Sequence, residues 1–145
     1  MKKLTIATVV GTRPELIRLS RLIPLLDERC EHVFIHTGQN SSPHLKDVFF
    51  SELGLRSPDY FLDCDTTTFA TVMADTIVKC HEVFVRARPD AVLVLGDTNS
   101  SVAAIAAERL QIPVYHMEAG NRSFDANVPE ELNRRMVDHV ATFNL

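Results

Sequence analysis

The sequence is poor in everything that would mark a specialised class of protein. No segment approaches the roughly 20 consecutive apolar residues that span a bilayer. The nearest to one is the N-terminus, where Lys2 and Lys3 precede the apolar run 4–10 much as in a secretory leader. Arg13 and Glu15 interrupt that run early and no small-residue cleavage site follows, so it reads as a first strand. Positive charge is not in excess: the net charge is −4, which gives no electrostatic reason to expect nucleic acid or an anionic membrane as partner. A phosphate-bearing ligand must then be held by a few local basic groups. The 3 cysteines, Cys30, Cys64 and Cys80, are odd in number and lack CxxC spacing, which suits reduced thiols in a cytoplasm better than a disulfide framework. The 6 histidines form no HxH, no HExxH and no Cys/His set with zinc spacing, so no metal site is expected. Neither GxGxxG nor a Walker A sequence occurs, which argues against a dinucleotide cofactor or ATP. Internal repeats, low-complexity tracts and obvious linkers are also missing.

What is present is material for one soluble globular domain with its own core: 145 residues, 46% apolar and 23% charged. The run 4–10 is rich in β-branched residues and stops at Gly11, as a buried parallel strand should. Pro14 stands where a helix would begin, with Leu16, Leu19, Ile23 and Leu26 at helical spacing behind it; Pro24 is expected to kink or shorten that helix. Further strands are read at 32–37, 91–95 and 114–117, with short extended pieces at 60–63 and 142–145. Helices are read at 43–53, 68–88, 98–110 and 130–140, and turn formers fill 38–42 and 57–59. Ala103, Ala104, Ala106 and Ala107 would let their helix pack close on a sheet, while Phe49, Phe50, Phe84 and His116 read as core. Alternating strands and helices predict an α/β fold with a doubly wound parallel sheet, whose ligands bind beyond the carboxyl ends of the strands.

Three strands end in polar chemistry. The first runs into Gly11-Thr12-Arg13-Pro14-Glu15, where Gly11 permits a tight turn and the following helix offers free backbone N–H groups to an anion. Arg13 adds a planar charged fork and Arg18, about one turn on, faces the same way; a plain strand-to-helix turn with two surface arginines fits the residues equally well. The strand 91–95 runs into Gly96-Asp97-Thr98-Asn99-Ser100, in which Asp97 is either a helix cap or, with Thr98, Asn99 or Ser100 capping, free to meet a ligand. The strand 114–117 ends in Glu118, a residue that caps poorly and is seldom buried without a partner. Glu130 and Glu131 open a helix where the dipole favours them, with Asn127 placed as in a capping box. Asp97, Glu118 and Glu130 together make three carboxylate positions on one rim, and like charges packed together raise one another's pKa.

The ordered motifs Val10-Gly11-Thr12-Arg13-Pro14-Glu15, Thr37-Gly38-Gln39, Pro89-Asp90 with Gly96-Asp97-Thr98, His116-Met117-Glu118-Ala119-Gly120, and Pro129-Glu130-Glu131 with Asn133-Arg134 resemble the non-hydrolysing UDP-N-acetylglucosamine 2-epimerase family over essentially the whole chain. The resemblance implies a Rossmann-like fold, one half of a GT-B type pair of domains with a cleft between them. Residues 1–145 then form the N-terminal domain, stopped before its last elements, and a C-terminal domain outside this chain supplies most UDP contacts and a catalytic histidine. It further implies inversion at C2 of a UDP-2-acetamido sugar, by eliminating UDP across C1–C2 and adding it back, in a cytoplasmic homodimer that feeds surface-polysaccharide synthesis. Such a route needs an acid, a base and negative charge near an oxocarbenium ion, but no cofactor and no obligatory metal. By motif, Asp97, Glu118 and Glu130 take those three roles in an order left open, Arg13 is the diphosphate-side arginine, and Arg18 stands where the family usually has a lysine.

The departures concern substrate and regulation. Gly38-Gln39-Asn40 replaces the common Gly-Gln-His near an allosteric UDP-sugar site, which argues against that regulation here. Asn40, Asn121 and Val128-Pro129-Glu130-Glu131 are more similar to the branch that epimerises UDP-2-acetamido-2,6-dideoxy-L-talose. A GT-B glycosyltransferase and a non-catalytic ligand-binding domain are the alternatives of other classes.

Overall fold

A computed structural model describes residues 3–39 and 43–145. Its 6-stranded sheet is parallel throughout, in the order β3-β2-β1-β4-β5-β6. The strands are β1 (Thr5–Val10), β2 (Glu31–His36), β3 (Tyr60–Phe61), β4 (Ala91–Leu95), β5 (Val114–Met117) and β6 (Phe143–Asn144). Period-2 alternation divides their side chains between two cores. Ala7, Val9, Val92, Val94 and Val114 face one, Val10, Phe34 and Leu95 the other.

Each core is closed by its own helices. α1 (Arg13–Leu19), α2 (Leu22–Arg29) and α3 (Pro43–Glu52) bury Leu16, Leu19, Ile23 and Phe50 on the second face. α4 (Phe69–Ala87), α5 (Ala103–Arg109) and α6 (Pro129–Val140) cover the first. The four alanines of α5 are at most 2% exposed and share their core with Cys80, Val83 and Phe84 of α4, the close packing that small side chains permit. The chain thus winds outward from β1 to β3, returns through α4 and winds outward again from β4 to β6. The doubly wound prediction holds, and the reversal of direction lies between β1 and β4, where such sheets bind ligands.

The local departures have local causes. The helix expected behind Pro14 is two helices, broken at Ser20 and Arg21; Pro24 falls in the first turn of α2, where a missing N–H is least costly. The helix expected from Thr98 starts as a 3-10 turn over Asn99–Val102 and becomes α-helical at Ala103. Asn127 does not cap α6: the cap position is Val128, Pro129 follows it, and Asn127 donates to Asp125 instead. The turn expected at 38–42 lies partly outside the described residues, as does Asn40. No helix among the described residues is long and apolar enough to cross a membrane.

Candidate active site

At the end of β1 the carboxylate of Glu15 turns back on its own loop. Its Oε2 accepts from the backbone N–H of Gly11 (2.9 Å) and Thr12 (2.8 Å) and from Thr12 Oγ1 (2.8 Å), while Oε1 accepts from Ser100 Oγ at 2.5 Å. The N–H groups of Gly11 and Thr12, in the loop before the helix, are therefore occupied by an internal anion. Glu15 is only 1% exposed. Burial pushes its carboxyl above the ordinary value, against hydrogen bonds from Ser100, Gly11, Thr12 and Thr98 that pull it down. It also ties β1 to the loop after β4 across the switch point. Gly11 is needed here for space: a Cβ would lie 2.3 Å from Thr37 Oγ1.

Arginine chemistry at this loop belongs to side chains alone. The guanidinium of Arg13 stands 4.2 Å from the ring centroid of Phe49, which is half-buried and carries a cation rather than filling the core as expected. Arg18 does not join Arg13 on one anion; it is paired with the carboxylate of Glu118, both side chains partly exposed.

Asp97 and Glu118 follow adjacent strands, since Leu95 and Met117 are register partners. Glu118 has φ +60, a left-handed backbone that costs a non-glycine residue on the order of 1–2 kcal/mol. Gly96 has φ +69, and a Cβ there would meet Glu118 Oε2 at 3.6 Å, an ordinary contact, so it is the left-handed backbone and not space that favours glycine. α6 reaches across both loops. Arg134 Nη2 donates to Asp97 Oδ2 at 2.6 Å and Nη1 donates to the carbonyl of Glu118. Asn133 Nδ2 donates to the Asp97 carbonyl and to Asn99 Oδ1, both at 3.0 Å. Two of the three rim carboxylates are each held by an arginine, Asp97 by Arg134 and Glu118 by Arg18.

His116 is buried as expected. Its Nε2 meets Gly96 O at 2.7 Å, and Nδ1 is 2.9 Å from Asp138 Oδ1 but off hydrogen-bond alignment. Asp138 also receives Arg122 at 2.6 Å and the N–H of Gly120 at 3.1 Å, which fixes the base of the loop after β5.

The glutamate pair that opens α6 divides its work. Glu131 is buried and accepts from Ser123 N (2.8 Å) and Ser123 Oγ (3.2 Å), pinning that loop. Glu130 is exposed and stands between two open clefts. One, of about 400 Å³, is lined by Thr12, Gln39, Asn99 and Glu130; the other, of about 240 Å³, by Asp97, Arg122, Glu130 and Arg134. Asp97 and Glu130 therefore share a cleft, and Arg13 stands apart at Phe49. Sequence reading gave Glu15, Asn133 and Arg134 no role. The available signal was helical spacing: Asn133 and Arg134 follow Glu130 by three and four residues and so share its face of α6. Among the described residues no group of three or more His, Cys, Asp or Glu side chains is placed to hold a metal ion.

The sequence profile described as UDP-N-acetylglucosamine 2-epimerase matches residues 26–145. The chain belongs to the UDP-N-acetylglucosamine 2-epimerase family. The UDP-N-acetylglucosamine 2-epimerase of Rickettsia bellii superimposes with a TM-score of 0.91 and 49% identity over 98% of this chain. The Methanocaldococcus jannaschii UDP-GlcNAc 2-epimerase, solved in complex with UDP-GlcNAc and UDP, gives 0.90 and 38% over 96%. The UDP-2,3-diacetamido-2,3-dideoxy-D-glucuronate 2-epimerase of Pseudomonas aeruginosa is 37% identical over 94% of the chain. The chain spans 38% to 39% of the length of these epimerases.

Proposed function

We propose that this chain supplies one wall of the active site of a non-hydrolysing UDP-2-acetamido-sugar 2-epimerase, with UDP-N-acetylglucosamine as the leading substrate. The observation that carries the reading is the pairing of Asp97 and Glu118 at the ends of adjacent strands beside the switch point, in a chain of this family. A proton at C2 of a sugar is not acidified by a neighbouring carbonyl. The reaction that suits these groups is elimination: a carboxylate takes the C2 proton as the C1–oxygen bond breaks and the diphosphate leaves. UDP then adds back to C1 of the bound glycal while a proton is delivered to the other face of C2. Asp97, Glu118 and Glu130 divide the roles of base, acid and stabiliser of positive charge at the anomeric carbon. Arg13 meets the diphosphate, and Arg18 exchanges its contact with Glu118 for the substrate. A second domain closes the cleft from the other side, in a cytoplasmic homodimer that makes precursors for surface polysaccharide. The free thiols of Cys30, Cys64 and Cys80 accord with a reducing compartment.

The test is deuterium incorporation. The gene product carrying residues 1–145, incubated with UDP-N-acetylglucosamine in D2O, is expected to place deuterium at C2 and to yield the manno epimer. Glu118→Gln and Asp97→Asn should each lower the rate by at least about 100-fold. No deuterium at C2 with any UDP-2-acetamido sugar, together with transfer of the sugar to an acceptor, would make the protein a glycosyltransferase instead. A second substrate is favoured by Asn121 and the sequence 128–131: UDP-2-acetamido-2,6-dideoxy-L-talose, to be run in the same assay.

A further inference from the structure

We propose that Arg134 is a positioning residue that fixes Asp97 and Glu118 relative to one another for proton transfer; the proposal rests on the epimerase reading above. Arg134 is 8% exposed, and its two terminal nitrogens have different tasks. Nη2 holds the carboxylate of Asp97, and Nη1 holds the main-chain carbonyl of Glu118.

The sheet does not by itself set the distance between these two carboxylates. Both strands have already ended, and the backbone at Gly96 and at Glu118 has turned into the left-handed region. Two short loops leaving a sheet in that way need a common anchor. A guanidinium provides one, because its nitrogens are coplanar and rigidly spaced. Its contact with Glu118 is to the carbonyl, which steadies the strained φ and leaves the carboxylate to Arg18 and to a ligand. Asn133 strengthens the anchor from the neighbouring position by holding the Asp97 carbonyl. Glu130 rides on the same helix face, so α6 brings all three carboxylates into one frame.

A lysine offers a single nitrogen and cannot span both loops; a methionine preserves bulk and offers no donor. In the gene product carrying residues 1–145, Arg134→Lys and Arg134→Met are expected to lower kcat about 100-fold while KM stays within about threefold, because both terminal nitrogens of Arg134 are taken up by the Asp97 carboxylate and the Glu118 carbonyl. Added guanidinium should restore turnover to Arg134→Ala in a saturable way. A merely structural arginine would lower the melting temperature and leave kcat per folded molecule unchanged, and that result overturns the proposal.

A second arm needs no turnover. In 15N-edited spectra of the wild-type protein, Arg134 should give separately resolved, slowly exchanging Nη signals that collapse in Asp97→Asn. Averaged Nη signals in the wild type overturn the clamp whatever the chemistry. Resolved signals in a protein that never exchanges C2 overturn the epimerase reading and leave the clamp standing.

Discussion

Glu15 takes a carboxylate into the interior within reach of four donors, and its environment makes a sharp prediction. Glu15→Ala strands the N–H groups of Gly11 and Thr12, which should destabilise the fold by roughly 3 kcal/mol, read as a fall in denaturation midpoint. Glu15→Gln should be mild: its amide oxygen replaces Oε2, and its NH2 faces Ser100, whose hydroxyl is free to turn toward Thr98 Oγ1 at 2.6 Å. The pH dependence follows from the raised pKa. A carboxyl that binds its proton more tightly folded than unfolded stabilises fully below its ordinary value of 4.5 and loses that contribution as pH rises through the folded value. Wild type should therefore gain on Glu15→Gln as pH is lowered from neutrality towards 4.5, and a constant difference between the two melting curves would refute the assignment. None of this was legible in sequence. A glutamate three residues into a helix behind Thr12 reads as a solvated capping residue, and only the arrival of Ser100 from the other half of the sheet makes it interior.

At the scale of elements, the packing of α2 on β1 and β2 runs through one histidine. His32 of β2 has its Nδ1 2.6 Å from Asp27 Oδ1 of α2 and its Nε2 2.9 Å from Thr8 Oγ1 of β1. The neutral tautomer with its proton on Nδ1 satisfies both contacts, with Thr8 donating to Nε2. Arg56 closes the cluster, donating to Asp27, to both oxygens of Asp59 and to the His32 carbonyl. Burial lowers the pKa of His32, outweighing the opposite pull of Asp27, while the Arg56 cation acts in the same direction as burial. The unfolded chain therefore binds more protons than the folded one once pH falls below the ordinary value of 6.5. Stability from this group is complete above that pH and is lost as pH falls towards the lowered folded value. His32→Gln preserves a donor for Asp27 and an acceptor for Thr8 but does not titrate. Its melting temperature is expected to decline less than that of the wild type between pH 6.5 and pH 5, and parallel curves would count against the histidine. The elements themselves were readable because their signals are local: a β-branched run closed by Gly11, a proline at Pro14, alanines on one helix. His32 was not, because a histidine at the start of a strand shows nothing of an aspartate on the preceding helix.

For the whole molecule, the alternation of elements was enough to place a ligand site at the carboxyl edge of the sheet, and three carboxylates were legible there: Glu118 for want of a structural role, Asp97 and Glu130 by their place on the same rim, although a helix cap and a first helical turn account for those two equally well. Their partners were not. Arg18 and Arg134 lie about 100 and 16 residues from Glu118 in the chain, and which arginine meets which acid is fixed by the crossing of α1 and α6 over the strand ends. The resulting wall is open: its clefts face solvent, Glu118 is one-third exposed, and Arg18 is more than half exposed. Proton transfer beside a departing diphosphate requires water to be excluded and the sugar to be held in one orientation. The relatives that carry the activity in their names are more than twice as long as this chain, which spans 38% of the Rickettsia bellii enzyme. Residues 1–145 by themselves are therefore expected to melt as one cooperative unit, because both cores are closed by helices within the chain. The same polypeptide should leave C2 of UDP-N-acetylglucosamine unexchanged in D2O under conditions in which the Rickettsia bellii UDP-N-acetylglucosamine 2-epimerase exchanges it. Deuterium appearing at C2 with residues 1–145 alone would mean that one wall suffices, and that Asp97, Glu118 and Glu130 need no second domain to act.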